Sequence, residues 1–261
     1  MEVYGEFIFN QNQHAELDRL NHITMAFDPI TKEHITNLNL PLNSRCLDIG
    51  SGTGSIASWL SAGSRQKNFE VLALDRDGQF LPKQTSADKN LTILKSDICT
   101  TPSLGEFDLI HARLVLMHLR DRSEVLEKLV SWLKPGGWII LSELIDTHTT
   151  DPLPSAYSKT MKTMWEVLHK TIGTDCHWGN RLSDDLKTLN LKELGSSLHY
   201  PTLSNGSPMP AFWRLTWMEM KHHLLTTGGL NIDTYTQAMD TLNAGEVTDL
   251  PPGLITCWGQ R

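Results

Sequence analysis

The sequence predicts an α/β protein, a parallel sheet with helices on its faces, and three observations carry that prediction. Arg45-Cys46-Leu47 is a short apolar approach to the glycine-rich turn Asp48-Ile49-Gly50-Ser51-Gly52-Thr53-Gly54. Ser55-Ile56-Ala57-Ser58-Trp59-Leu60 follows with apolar residues at helical spacing. A second apolar run, Val71-Leu72-Ala73-Leu74, then ends in the carboxylate of Asp75. Strand, glycine turn, helix and acid-tipped strand make half of a nucleoside-binding sheet.

The other elements follow in order. Residues 11–27 read as a helix, with Leu17, Leu20, Ile23, Thr24 and Phe27 on one side. Asp28-Pro29 has the form of an N-cap and first-turn proline, so a second short helix is expected through Leu38. The first strand is expected at about 44–49, a helix at 54–62 and the second strand at 69–75. A helix should begin near Asp77, with strands at 91–95 and 107–110 and a helix at 121–133. Lys134-Pro135-Gly136-Gly137 should break the chain before a strand at 138–144. Helices are then expected at 155–170, after Trp178-Gly179-Asn180-Arg181 through Leu189, at 211–226 and at 232–242. Strands are expected at 194–203 and 254–258. Strands alternating with helices imply right-handed crossovers.

Composition narrows the function. With 261 residues the chain can bury a sizeable core, and no apolar run approaches the ~20 residues of a membrane span. The start, Met1-Glu2-Val3-Tyr4-Gly5-Glu6, lacks the features of a secretory signal, so a cytoplasmic location is expected. The net charge of −7, without a lysine or arginine cluster, disfavours a nucleic-acid partner. Cys46, Cys99, Cys176 and Cys257 are scattered without a C-x-x-C pair, so neither a metal site nor a disulfide framework is expected. Cys46 and Cys99 fall in core-like runs and should be buried thiols. The oligomeric state is not legible.

The glycine spacing separates two nucleoside chemistries. Dinucleotide folds use G-x-G-x-x-G, whereas this turn is G-x-G-x-G with an acid two residues ahead. It resembles motif I of the class I S-adenosylmethionine (SAM)-dependent methyltransferases. Three further matches follow in the family's order. Leu74-Asp75-Arg76-Asp77 is similar to motif II and Lys95-Ser96-Asp97-Ile98 to motif III. Phe107-Asp108-Leu109-Ile110-His111-Ala112-Arg113, with Leu133-Lys134-Pro135-Gly136-Gly137, is similar to the signatures at strands four and five. Tyr4, His111-Ala112-Arg113-Leu114, Trp178-Gly179-Asn180-Arg181-Leu182, Gly206-Ser207-Pro208 and Cys257-Trp258-Gly259 further resemble a bacterial natural-product subgroup of small-molecule methyltransferases. That subgroup is distantly similar to the ubiquinone/menaquinone-biosynthesis methyltransferases.

The resemblance implies a Rossmann-like, seven-stranded, mostly parallel sheet flanked by helices, with an N-terminal helical lid and a helical insertion before the last strand. One methyltransferase domain, 1–261, is expected to divide into a lid (1–43), a SAM-binding core (44–146) and substrate-cover helices with closing strands (147–261). The cofactor the resemblance implies is SAM, leaving as S-adenosylhomocysteine (SAH). Asp48 would hold the turn or reach the methionine ammonium through water, and Gly50, Ser51 and Gly52 would offer bare backbone. Asp75, with Arg76 beside it, would take the ribose hydroxyls; Asp97 would take the adenine amine and Ile98 its ring. His111 and Arg113 would line the methionine end, with Tyr4 and Arg19 closing it from the lid. His118 is the candidate base. Glu143 would orient an acceptor or merely bind a loop. Trp178 with Arg181 would form an aromatic wall and anion clamp, and Trp213 would add to the substrate surface. Methyl transfer to a small molecule, by oxygen or nitrogen attack, is the expected reaction; SAM-assisted cyclisation without transfer is the alternative.

Overall fold

The computed structural model describes residues 13–63, 68–82, 89–146 and 155–261. Seven strands form one sheet: β1 Arg45–Ile49, β2 Glu70–Asp75, β3 Leu91–Lys95, β4 Phe107–Arg113, β5 Leu133–Ile145, β6 Lys192–His199 and β7 Gly253–Gln260. Their order is β3-β2-β1-β4-β5-β7-β6. β1 to β5 pair in parallel, and β7 runs antiparallel to both β5 and β6. This is the Rossmann-like sheet that the sequence predicts.

The strands hold the middle of the sheet because they are apolar on both faces. Alternate side chains serve two cores. Leu47, Ile49, Ile110, Ala112, Ile139 and Leu141 enter the larger one, while Cys46, Val71, Ala73, Leu109 and Ile140 enter the smaller. The smaller core is covered by α2 (Ser55–Ala62) through Ile56, Ala57 and Leu60. The larger is covered by α3 (Arg122–Ser131), α4 (Ala156–Ile172) and α6 (Pro208–Thr226). A short α5 (Leu182–Thr188) precedes β6, and α7 (Ile232–Ala244) packs on α4 and α6.

Four local expectations need correction. The N-terminal region is one helix, α1 (Gln13–Asn37), with Pro29 inside it. Asp28 does not cap a new helix, because its carboxylate is drawn to Arg113, Ser55 and Lys32 at 2.8, 3.1 and 3.0 Å. No helix begins at Asp77; Arg76 to Pro82 is a turn region. Asp75 holds this turn by accepting from the amides of Asp77 and Gly78 at 3.0 and 3.1 Å. The Lys134-Pro135-Gly136-Gly137 break is absorbed as a register irregularity within β5, where a Cβ on Gly137 would sit 2.7 Å from the Phe107 carbonyl oxygen. Cys99 is exposed, whereas Cys46, Cys176 and Cys257 are buried. No described helix is long and apolar enough to cross a membrane.

Candidate active site

A cavity of about 980 Å³ opens at the carboxyl ends of β1, β2, β3 and β4, beneath α1, α4 and α6. This is the edge at which parallel sheets bind ligands. Its first wall is the glycine turn. Gly50 and Gly52 both have positive φ, 60° and 56°. They are bare for different reasons. A Cβ on Gly50 would meet Val115 Cγ2 at 2.3 Å, so that glycine admits a protein neighbour. A Cβ on Gly52 would find nothing nearer than 3.9 Å, so the space over Gly52 belongs to the cavity. Ser51 braces the turn by donating its hydroxyl to the Asp48 carbonyl at 2.8 Å.

Asp75 fastens the next stretch of wall. Its Oδ2 accepts from the Gly52 amide at 2.9 Å, so β2 and the glycine turn are joined through one carboxylate. Arg76 and Asp77 line the same side. At the end of β3, Asp97 Oδ1 accepts from the Cys99 amide at 2.8 Å, and its carbonyl accepts from Thr100, Thr101 and the Thr101 hydroxyl. Ile98 is buried against this turn and reaches the cavity.

Behind the glycines lies a buried polar pair. The β1–β4 register sets Asp48 beside His111, and Asp48 Oδ1 lies 2.6 Å from His111 Nδ1. An ionised carboxylate only accepts, so Nδ1 carries a proton toward it. The Nε2 of His111 is buried with no hydrogen-bond partner among the described residues. Arg113 instead spends its guanidinium on α1, donating to Asp28 at 2.8 Å and Thr31 at 2.9 Å.

On the far side, α1 contributes Arg19, whose Nε and terminal nitrogen each lie 2.7 Å from a Glu16 carboxylate oxygen. The fork that sequence reading assigns to a ligand carboxylate is therefore engaged by Glu16, three residues away in the same helix. His118 stands on a short 3-10 turn, Leu116–His118, with part of its surface on the cavity and Nδ1 2.9 Å from the Thr174 hydroxyl. Dense packing, then Arg19 and Arg122, push its pKa down to about 3.

Glu143 lies under that turn, fully buried, and is absent from the cavity wall. Its Oε1 accepts from the Leu116 amide at 2.9 Å, so its place is that of a loop holder. Burial lifts its pKa to about 8, against hydrogen bonds from the amides of residues 115–117 that favour the charged form. Folding therefore takes up a proton on Glu143 between its ordinary 4.5 and about 8. The stability this contributes is complete below pH 4.5 and is lost as pH rises through 8. His118 has the opposite sign: its contribution is present above pH 6.5 and lost as pH falls toward 3. Glu143→Gln should flatten the alkaline limb, a change on the order of a few kcal/mol. Melting curves of wild type and variant from pH 6 to 9 check this, and parallel curves would contradict it.

Sequence reading places Trp178 and Arg181 against a ligand, and the structure does not bring them there. Trp178 is a core residue whose indole donates to Asp185 at 3.0 Å, and Arg181 is mostly exposed beside Asp175 at 3.4 Å. The turn that carries them packs on β5 and α5, away from the cavity. Trp213 does line the cavity. Tyr4 lies outside the described residues. Sequence reading overlooks Met164, Trp165, Leu168 and Phe212, which line it too. Helical spacing marks the buried face of α4, but no local motif says that this face meets an opening. Among the described residues no group of three or more His, Cys, Asp or Glu is placed to hold a metal ion.

A methyltransferase-domain family model matches residues 22–183, more than half of the chain. The chain belongs to the class I SAM-dependent methyltransferases. Methyltransferase str2 of Strobilurus tenacellus is 31% identical over 133 residues, covering 50% of this chain and 46% of that protein. Phosphoethanolamine N-methyltransferase of Plasmodium falciparum (isolate 3D7) is 26% identical over 193 residues, covering 71% of this chain and 69% of that protein. The chain spans about half the length of the first curated relatives, 46% and 50%. Among solved structures, the 4+2 cyclase SpnF superposes with a TM-score of 0.56 at 15% identity, covering 90% of this chain and 80% of that one. At that identity the likeness shows the fold alone.

Proposed function

We propose that this protein transfers a methyl group from SAM to a small organic acceptor bound in the same cavity. The observation that carries the proposal is the open face of Gly52 flanked by the Asp75 carboxylate, since a cradle free of side chains beside an acceptor suits a ribose. The other polar groups fit the cofactor by kind. SAM offers three sets of donors, namely ribose hydroxyls, an adenine amine and an ammonium. The cavity wall offers the carboxylates of Asp75 and Asp97 as acceptors, with His111 at the methionine end. On this reading Ser51 and Gly52 supply backbone, Ile98 packs on the adenine, and Arg76 borders the ribose edge. Asp48 acts through His111. Gly50 serves by admitting Val115, and Arg113 by tying α1 to the sheet. Helix α1 acts as a lid, and α4, α6 and α7 as the substrate cover.

When bound, SAM supplies a methyl group already activated by a positive sulfur, so no covalent enzyme nucleophile is needed. The protein's contribution is to hold the acceptor in line and exclude water. His118, neutral at physiological pH, accepts a hydrogen bond from an acceptor hydroxyl and takes up its proton as transfer proceeds. Thr174 and the Glu143-held turn aim it. A base of such low pKa accelerates weakly, so His118→Ala should lower kcat by roughly tenfold to a hundredfold, at or below the ordinary range for general bases. SAH affinity should stay within twofold of wild type. Mass spectrometry of the product supplies the decisive readout: a gain of one methyl group with SAH released supports transfer. Turnover at unchanged mass without SAH would overturn it in favour of cyclisation, the activity named for SpnF.

A further inference from the structure

We propose that the acceptor is an uncharged, largely apolar, ring-bearing molecule rather than a phosphate-bearing or otherwise anionic one; this rests on the methyl-transfer reading above. The cavity has two unlike compartments. One is the polar edge at Gly52, Asp75 and Asp97. The other is a chamber lined by Leu20 of α1, Met164, Trp165 and Leu168 of α4, and Phe212 and Trp213 of α6. Pockets that hold one drug-sized ligand run from roughly 300 to 1,000 Å³. At about 980 Å³ this cavity is at the top of that range, more than three times the smallest such pocket, which leaves space beside a nucleoside for a ring-sized compound.

The aromatic groups pack edge to face and are nearly fully buried, meeting the chamber only along their margins. Phe212 and Trp213 have ring centroids 4.6 Å apart at 60°, and Trp165 meets Trp213 at 6.3 Å and 83°. Such edges and faces favour a flat partner. Both indole Nε1 atoms, of Trp165 and Trp213, are buried without a hydrogen-bond partner among the described residues. A buried donor left without a partner is costly, so these rings mark a strained part of the packing.

Charge points the same way. The two arginines that α1 holds over the chamber are each paired with a carboxylate. Arg19 is held two-pronged by Glu16 at 2.7 Å while lying 5.4 Å from the centroid of Phe212. Arg113 is on Asp28 at 2.8 Å, and Arg120, at the exposed rim, donates to the Thr171 carbonyl at 3.2 Å. An anion brought against Arg19 or Arg113 would lose its hydration and find their charges already matched by Glu16 and Asp28, which leaves only the exposed rim at Arg120. The phosphoethanolamine of several relatives' names is thus a poor match for this wall.

Calorimetry with 1-naphthol, 1-naphthoate and phosphoethanolamine, each titrated with and without saturating SAH, tests the proposal. 1-Naphthol should bind at least tenfold more tightly than phosphoethanolamine. Trp213→Ala should weaken naphthol at least tenfold and leave SAH affinity within twofold. Because that variant removes a core ring, Leu20→Lys at a half-buried position is the second test. It should weaken naphthol and strengthen naphthoate at least fivefold. Tighter binding of phosphoethanolamine, no naphthol binding, or naphthol affinity indifferent to both variants would overturn the proposal. Absence of SAH binding in the same samples would overturn the methyl-transfer reading and the acceptor role with it, a failure distinct from loss of naphthol alone.

Discussion

Asp75→Ala should weaken SAH binding at least a hundredfold, the largest functional loss expected from any single side chain. One carboxylate accepts from three backbone amides, those of Gly52, Asp77 and Gly78, at 2.9, 3.0 and 3.1 Å. Hydrogen bonds to a charged group contribute about 1.5–3 kcal/mol each, so deletion relaxes both the glycine turn and the turn after β2. It also removes the acceptor proposed for the ribose. A hundredfold loss needs only about 2.7 kcal/mol, less than two such bonds at mid-range. Asp75→Asn keeps the shape and half of the acceptor capacity, and should fall between. Calorimetry with SAH reads this directly, and affinity within threefold of wild type in Asp75→Ala would contradict the assignment.

Gly50→Val should cost the most stability, and a matched change two residues on separates folding from binding. At Gly50 the positive φ of 60° charges a β-branched residue about 1–3 kcal/mol. The Cβ position 2.3 Å from Val115 Cγ2 adds overpacking of a further ~1–3 kcal/mol. A fall in Tm of roughly 10 °C follows for a domain of this size. Gly52→Ala has similar backbone strain at φ 56° but nothing within 3.9 Å to strike. It should fold, melt within a few degrees of wild type, and lose SAH affinity at least tenfold, because its methyl enters the cavity. Equal melting temperatures for the two variants would refute the division of labour between the glycines.

The sheet was legible because its evidence is local and periodic: both faces of β1, β2, β4 and β5 are buried, and such strands are near-continuous apolar runs. Asp75 and Asp97 stood out because they end apolar runs at the family's spacing. What escaped depends on partners distant in sequence. Asp28-Pro29 has every local mark of a helix start, yet Arg113 and Ser55 claim the carboxylate and the helix runs through. Arg19 was expected to face a ligand until Glu16, one turn earlier, is seen to hold it. Trp178 and Arg181 form a conspicuous token, but their carrier turn packs on β5 away from the opening. Trp165 and Met164 give the reverse lesson: an ordinary amphipathic helix becomes a cavity wall only once α1 and α6 stand opposite. The Asp48–His111 pair needs the β1–β4 register before either residue has a partner.

A crystal structure of the protein with SAH tests the central claim most directly. The account predicts ribose hydroxyls on Asp75, adenine beside Asp97 and Ile98, and the vacated methyl position facing the chamber of Trp165 and Trp213. SAH lodged elsewhere, or a glycine turn closed over Gly52 by side chains, would contradict it.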